Sequence, residues 1–108
     1  MITNGNKAEQ RAKIDRFDLA KHFDHIQIEG EMGFGKPEEE AYAHALKSLG
    51  RDVSETWIIG DNLDWEVIVP QRLGFYSIWR DPVGTGLPDG TTAKPDRILT
   101  RLAELVEP

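Results

Sequence analysis

Cysteine is absent from this chain of 108 residues. Its absence excludes a disulfide framework, a thiolate nucleophile and a cysteine-ligated zinc site, and it suits a cytoplasmic protein. No apolar run approaches the roughly 20 residues that span a bilayer, so we expect no membrane partner. The 13 basic residues are outnumbered by 19 acidic ones and form no cluster, which argues against a nucleic-acid partner.

What the chain does contain is an alternation of short apolar runs with segments of helical period, which is typical of an α/β fold with a parallel sheet. Strands are predicted at 25–30, 56–60 and 75–80, and the opening residues look like the end of another strand. Helices are predicted at 6–23, 37–50 and 100–107. In the second of these, Pro37 is expected at the first helical position and Gly50 at the stop. The length predicts one domain, over residues 1–108.

Polar residues follow three of the predicted strands. Ligands of parallel α/β sheets bind beyond the carboxyl ends of the strands, so these turns are expected to lie near one another. A hydroxyl, backbone amides, a lysine and carboxylates there could hold a phosphoryl group and a divalent cation. The groups concerned are Thr3, Asn4, Gly5, Lys36, Asp61, Asp64 and Glu66.

Each turn also has a purely structural interpretation. Asp61 or Asn62 could simply cap the following helix, and the Thr3 turn could be no more than a tight turn. Lys36 could be a solvated side chain. Pro70 is expected to bend or loosen the helix beside the acids, because it cannot donate a hydrogen bond to the carbonyl of Glu66.

Four segments carry a family resemblance: "ITNG", "GFGKPEEEAYAHALKSLG", "WIIGDNLDWEVIVPQRLGFYSIW" and "PDRILTRLAELVE". Together they resemble the C-terminal part of the haloacid dehalogenase-like (HAD) hydrolases, in the phosphatase-like branch with a helical cap. The resemblance implies a Rossmann-like three-layer parallel sheet. It also implies Mg²⁺-dependent hydrolysis of a small phosphorylated metabolite, with phosphate esters favoured over dehalogenation because Asp61 is acidic.

The resemblance assigns roles by position. Thr3 would hydrogen-bond a phosphoryl oxygen, with backbone N–H groups of Asn4 and Gly5 assisting. Lys36 would stabilise the charge on the nucleophile and the transferring group, so Thr3 and Lys36 are the predicted catalytic residues. Asp61 would bind Mg²⁺. Glu66 stands at the second metal-binding position, where the family mostly has aspartate, and its longer side chain could act through water or hold Lys36 instead. Asp64 lies off the motif, and we expect it to be a solvated acid in the first helical turn.

The family's nucleophile motif, D-x-D-x-[T/V], does not occur in these residues. The expectation is therefore an incomplete, N-terminally truncated core that lacks the first strand and the cap and is inactive alone. An alternative is a non-catalytic binding module that needs a partner strand. In either case an open sheet is expected to favour a homodimer, because unpaired backbone groups are costly.

Overall fold

A computed structural model of the chain describes residues 1–107. It divides into two compact units, Met1–Arg51 and a second unit that begins at Asp52. Both units contain parallel strands and helices, which confirms the α/β class. The single domain over residues 1–108 stays a prediction. Within residues 1–107, no helix has the length and apolar character needed to cross a membrane.

The first unit is built on a pair of short parallel strands. Ile2 lies opposite Gln27, and Thr3 lies opposite Ile28. The side chain of Asn6 caps the first helix by accepting the N–H of Glu9 at 2.8 Å. In chain order the elements are β1 (Ile2–Thr3), α1 (Lys7–Arg16), β2 (Gln27–Ile28), α2 (Glu29–Met32) and α3 (Glu39–Leu49).

Helix α1 is shorter than the predicted segment 6–23. It ends at Arg16 because Asp18 takes a left-handed backbone conformation, with φ of 51°, and only a 3₁₀ turn follows at Ala20–His22. Ile14 is buried and anchors the helix. Phe17 is 59% exposed beneath the guanidinium of Arg16, so the helix presents one buried apolar position rather than a broad face.

Helix α3 confirms most of the prediction for 37–50. Ala41, Tyr42 and Ala45 are buried on one side, and Gly50 closes the helix with φ of 63°. The expected start at Pro37 is wrong. Pro37 lies in a turn closed by the N–H of Glu38 donating to the carbonyl of Gly35 at 2.8 Å, so the helix begins at Glu39.

The second unit holds a three-stranded parallel sheet in the order β3-β4-β5. Trp57 lies opposite Tyr76, and Ile78 lies opposite Arg97. Its elements are β3 (Trp57–Gly60), a π-helical segment (Asp64–Ile68), α4 (Val69–Arg72), β4 (Tyr76–Arg80) and β5 (Arg97–Leu99). The π-helical turns directly before Pro70 confirm the loosened helix expected beside the acids.

The end of the chain departs from its predicted helix at 100–107. A 3₁₀ turn occupies Leu102–Leu105, and Leu99 is a buried strand residue opposite Arg80. The leucine spacing there is locally helical. Pairing with β4 buries Leu99 and satisfies its backbone, which outweighs the local pattern.

Candidate active site

The turn after β1 is fixed by the side chain of Asn4. Its Nδ2 donates to the carbonyl of Lys36 at 2.8 Å, and its Oδ1 accepts the N–H of Lys36 at 3.0 Å. A single amide side chain thus pairs with both polar groups of a residue 32 positions away. The predicted lysine turn and the predicted phosphate turn are therefore bound to each other.

Lys36 itself is half-buried beside this turn. The pKa of the Met1 amino group is lowered, first by its own burial and then by the positive charge of Lys36. That second effect indicates that the Lys36 ammonium lies near the start of β1. The first unit therefore places a cationic side chain close to the strand that ends at Thr3.

The hydroxyl of Thr3 already has internal partners. It lies 3.3 Å from Oε1 of Gln10 and 3.4 Å from the carbonyl of Asn4, and both are long hydrogen bonds. Gln10 also covers Gly5, where a Cβ would lie 2.7 Å from its Nε2. Gly5 has φ of 118°, a conformation that glycine adopts readily.

Glu29 belongs to the same cluster and was missed from the sequence. The N–H of Gly5, which we expected to serve phosphate, donates to Oε1 of Glu29 at 3.0 Å. Glu29 comes directly after strand β2, as Asp61 comes directly after β3. An acid at a strand end was the signal that drew attention to Asp61. The predicted strand at 25–30 placed Glu29 inside the strand, and only the observed end of β2 at Ile28 places this acid at a strand end.

In the turn after β3, the residue that caps the following helical segment is not the candidate metal ligand. Oδ1 of Asn62 accepts the N–H of Trp65 at 3.1 Å, so Asn62 is the residue that caps the following helical segment. The carboxylate of Asp61 is exposed, while its backbone carbonyl accepts from Nε1 of Trp79 at 2.9 Å. Asp64 is exposed at the start of the π-helical segment, as expected.

Glu66 is held differently, because it is only 6% exposed. Its side chain lies against the backbone of Gly60, where a Cβ would come within 2.3 Å of Glu66 Cγ. Because Gly60 has no side chain, the Glu66 side chain can pack against its backbone. Asp61 and Glu66 follow the same strand and belong to the second unit.

The six predicted site residues fall into two sets. The first unit brings together Thr3, Asn4, Gly5 and Lys36, and the second contains Asp61 and Glu66. The carboxylate oxygens of Asp61 and Glu66 are hard ligands of the kind that Mg²⁺ prefers. A protein-bound Mg²⁺ usually has only one or two carboxylate ligands, and water and phosphate oxygens fill its other positions. Within residues 1–107, no group of three or more acidic or histidine side chains forms a complete cage. The two acids fit a partial, open ligand set of this kind.

A family comparison decides the class of protein. The model of the haloacid dehalogenase-like hydrolases matches residues 1–98. The chain belongs to this family. A phosphoserine phosphatase of Thermus thermophilus is 34% identical over 106 residues, which cover 97% of this chain and 41% of that protein. A glyceraldehyde 3-phosphate phosphatase of Pyrococcus abyssi is 30% identical over 79 residues, covering 73% of this chain and 33% of that protein.

Solved structures show the fold. The putative HAD-hydrolase YfnB from Bacillus subtilis, described as bound to magnesium, matches with a TM-score of 0.85 and 26% identity over 96% of this chain and 45% of that one. A 2-haloacid dehalogenase from Pseudomonas syringae matches with a TM-score of 0.77 and 26% identity, over 86% of this chain and 40% of that one. The Rossmann-like fold expected of the family is therefore confirmed. The chain spans less than half the length of these relatives.

Proposed function

We propose that this chain carries the phosphate-binding and magnesium-binding residues of a phosphatase that acts on a small phosphorylated metabolite. The observation that carries the proposal is the pairing of Asn4 with both backbone groups of Lys36. This pairing holds the turn that carries Lys36 against the turn that carries the Thr3 hydroxyl and backbone N–H groups. A cation, a hydroxyl and N–H groups together suit an anionic phosphoryl group. The phosphatases among the similar proteins support a phosphate ester as substrate.

Each residue has a role in this proposal. Thr3 and the N–H groups of Asn4 and Gly5 bind phosphoryl oxygens, and Lys36 offsets the charge that grows during transfer, which makes Thr3 and Lys36 the catalytic residues of this chain. The carboxylates of Asp61 and Glu66 would hold Mg²⁺, which in a phosphatase would supply positive charge to phosphate oxygens. The magnesium described for the YfnB structure supports this choice of metal.

The 108-residue chain is expected to be inactive alone. It contains no D-x-D sequence, so it supplies no aspartate pair to act as nucleophile and general acid/base. An assay with a simple aryl phosphate and Mg²⁺ should detect no turnover. Turnover by the purified chain that disappears in Asp61→Asn would contradict this expectation.

A second candidate function is a non-catalytic module that pairs with a partner strand. In the described part of the second unit, β3 has a hydrogen-bonded neighbour on one side only. Trp57 is 58% exposed and Tyr76 is 40% exposed, with ring centroids 5.2 Å apart. An open strand edge beside exposed apolar rings favours association, and a homodimer is the partner we propose.

Sedimentation velocity tests this second candidate. A dimer that dissociates on dilution, and that is lost in Trp57→Lys, is the expected result. A single monomeric species at all concentrations would contradict it. The cytoplasmic location and the absence of nucleic-acid and membrane partners stay predictions from composition.

A further inference from the structure

The Gly5 turn holds an internal anion. Oε1 of Glu29 accepts the N–H of Gly5 at 3.0 Å, which is the amide proposed above for a phosphoryl oxygen. The carboxylate is half-buried and belongs to the first residue of α2. An N–H group donates one strong hydrogen bond, so Glu29 and a phosphoryl oxygen cannot both use it fully.

The backbone on both sides of this contact is fixed by a second hydrogen bond. The N–H of Gly30 donates to the carbonyl of Gly5 at 2.9 Å, so both polar backbone groups of Gly5 are tied to the start of α2. A Cβ on Gly30 would lie 2.6 Å from the backbone nitrogen of Lys7. Glycine at position 30 therefore permits the close approach that brings Glu29 to the turn.

The other carboxylate oxygen lies on the lysine side of the cluster. A Cβ on Gly35 would come within 2.6 Å of Oε2 of Glu29 and 2.8 Å of Oδ1 of Asn4. Glu29 thus extends between the turn after β1 and the turn before Lys36. The carboxylate occupies the place where an incoming anion would meet the Gly5 amide.

We propose that Glu29 is an internal competitor at the phosphate site, whose carboxylate occupies the Gly5 amide until a phosphoryl group displaces it. The proposal rests on the proposed function. Displacement costs one charge-assisted hydrogen bond and brings two anions near each other, so phosphate binds more weakly than the turn alone would allow. The cost is the same for every phosphoryl ligand, so free inorganic phosphate, which makes no further contacts, binds weakly, and a ligand with further contacts in the site can still bind tightly.

The test is a titration of inorganic phosphate into the 108-residue chain at constant ionic strength, followed through the Gly5 amide by ¹H–¹⁵N NMR. Glu29→Gln keeps the size of the side chain and removes its charge, and Glu29→Ala removes the acceptor. The matched control is Glu31→Gln, which removes the same charge from the same helix. Glu31 pairs with Arg11 at 2.7 Å.

Glu29→Gln is expected to tighten phosphate binding about tenfold, the equivalent of one charge-assisted hydrogen bond, and Glu29→Ala at least as much. Glu31→Gln should leave the affinity within about twofold. In the phosphate-free chain the Gly5 amide proton should shift upfield in both Glu29 variants and not in Glu31→Gln. Unchanged or weaker binding by both Glu29 variants would overturn the inference and leave the proposed phosphate site standing. If no form of the chain binds phosphate, the proposed phosphate site fails and the inference fails with it.

Discussion

Replacing Gly60 with alanine would test the packing that positions Glu66. The new Cβ would lie 2.3 Å from Glu66 Cγ and 2.5 Å from its Cδ. Carbon atoms in favourable contact are about 3.5–4.0 Å apart, so the Glu66 side chain would have to move by more than about 1 Å. Glu66 is 6% exposed, which leaves little open space for that movement.

Overpacking of this kind costs about 1–3 kcal/mol. We expect Gly60→Ala to lower the free energy of unfolding by about that amount. Urea denaturation followed by tryptophan fluorescence is the appropriate assay, because all three tryptophans lie in the second unit with Gly60 and Glu66. The signal therefore reports on the unit that carries the substitution.

A double-mutant cycle provides the control. Glu66→Ala removes the atoms that the new Cβ would meet, so the double variant Gly60→Ala/Glu66→Ala should be more stable than the sum of the single effects, by about 1–3 kcal/mol. A coupling within about 0.5 kcal/mol of zero would refute the packing argument, even if Gly60→Ala alone were destabilising.

Three further predictions follow from named contacts. Asp61→Asn should weaken Mg²⁺ binding measured by calorimetry at least about tenfold, whereas Asp64→Asn, which changes a neighbouring exposed acid, should change it less than about twofold. Asn4→Ala removes both hydrogen bonds to the Lys36 backbone, so the Lys36 amide should lose about 1–3 kcal/mol of protection against hydrogen exchange. Unchanged protection of this amide would contradict the pairing of Asn4 with Lys36. The hydrogen bond from Arg11 lowers the pKa of Glu31, so the stability that this ion pair contributes is present at neutral pH and is lost as pH falls through the lowered pKa. Arg11→Leu should raise the pKa of Glu31 in a carboxyl NMR titration, and an unchanged pKa would contradict the ion pair.

Local patterns predicted those parts of the fold that local interactions determine. The apolar side of α3 and its glycine stop follow from helix spacing and the left-handed tolerance of Gly50. The runs at 56–60 and 75–80 became β3 and β4 nearly as predicted. The placement of Asp61 at a strand end followed from the same strand pattern.

Predictions failed where distant partners decide the outcome. The leucine spacing near Leu99 indicated a helix, but pairing with β4 makes that residue part of a strand. The apolar run at 56–60 predicts a buried strand residue at Trp57, but Trp57 is 58% exposed on a strand at the edge of its sheet, while Trp79 on the central strand is buried. Neither the strand order nor the edge position can be read from the residues around Trp57.

The candidate site shows the same division. The residue types and order of Thr3, Asn4, Gly5 and Lys36 were available from the sequence, but the use of the Asn4 side chain was not. It pairs with a backbone 32 residues away, and such a contact leaves no periodic signal. The hydrogen bond from Gly5 to Glu29 spans 24 residues and was missed for the same reason.

The most direct test of the central claim is whether Lys36 and the turn after β1 bind phosphate. Inorganic phosphate should produce saturable ¹H–¹⁵N NMR shifts at the Gly5 and Lys36 amides. These shifts should be lost in Lys36→Met and kept in Lys47→Met, which removes an exposed lysine of α3. Shifts that never saturate, or that are equal in the two variants, would contradict the assignment of this cluster as a phosphate site.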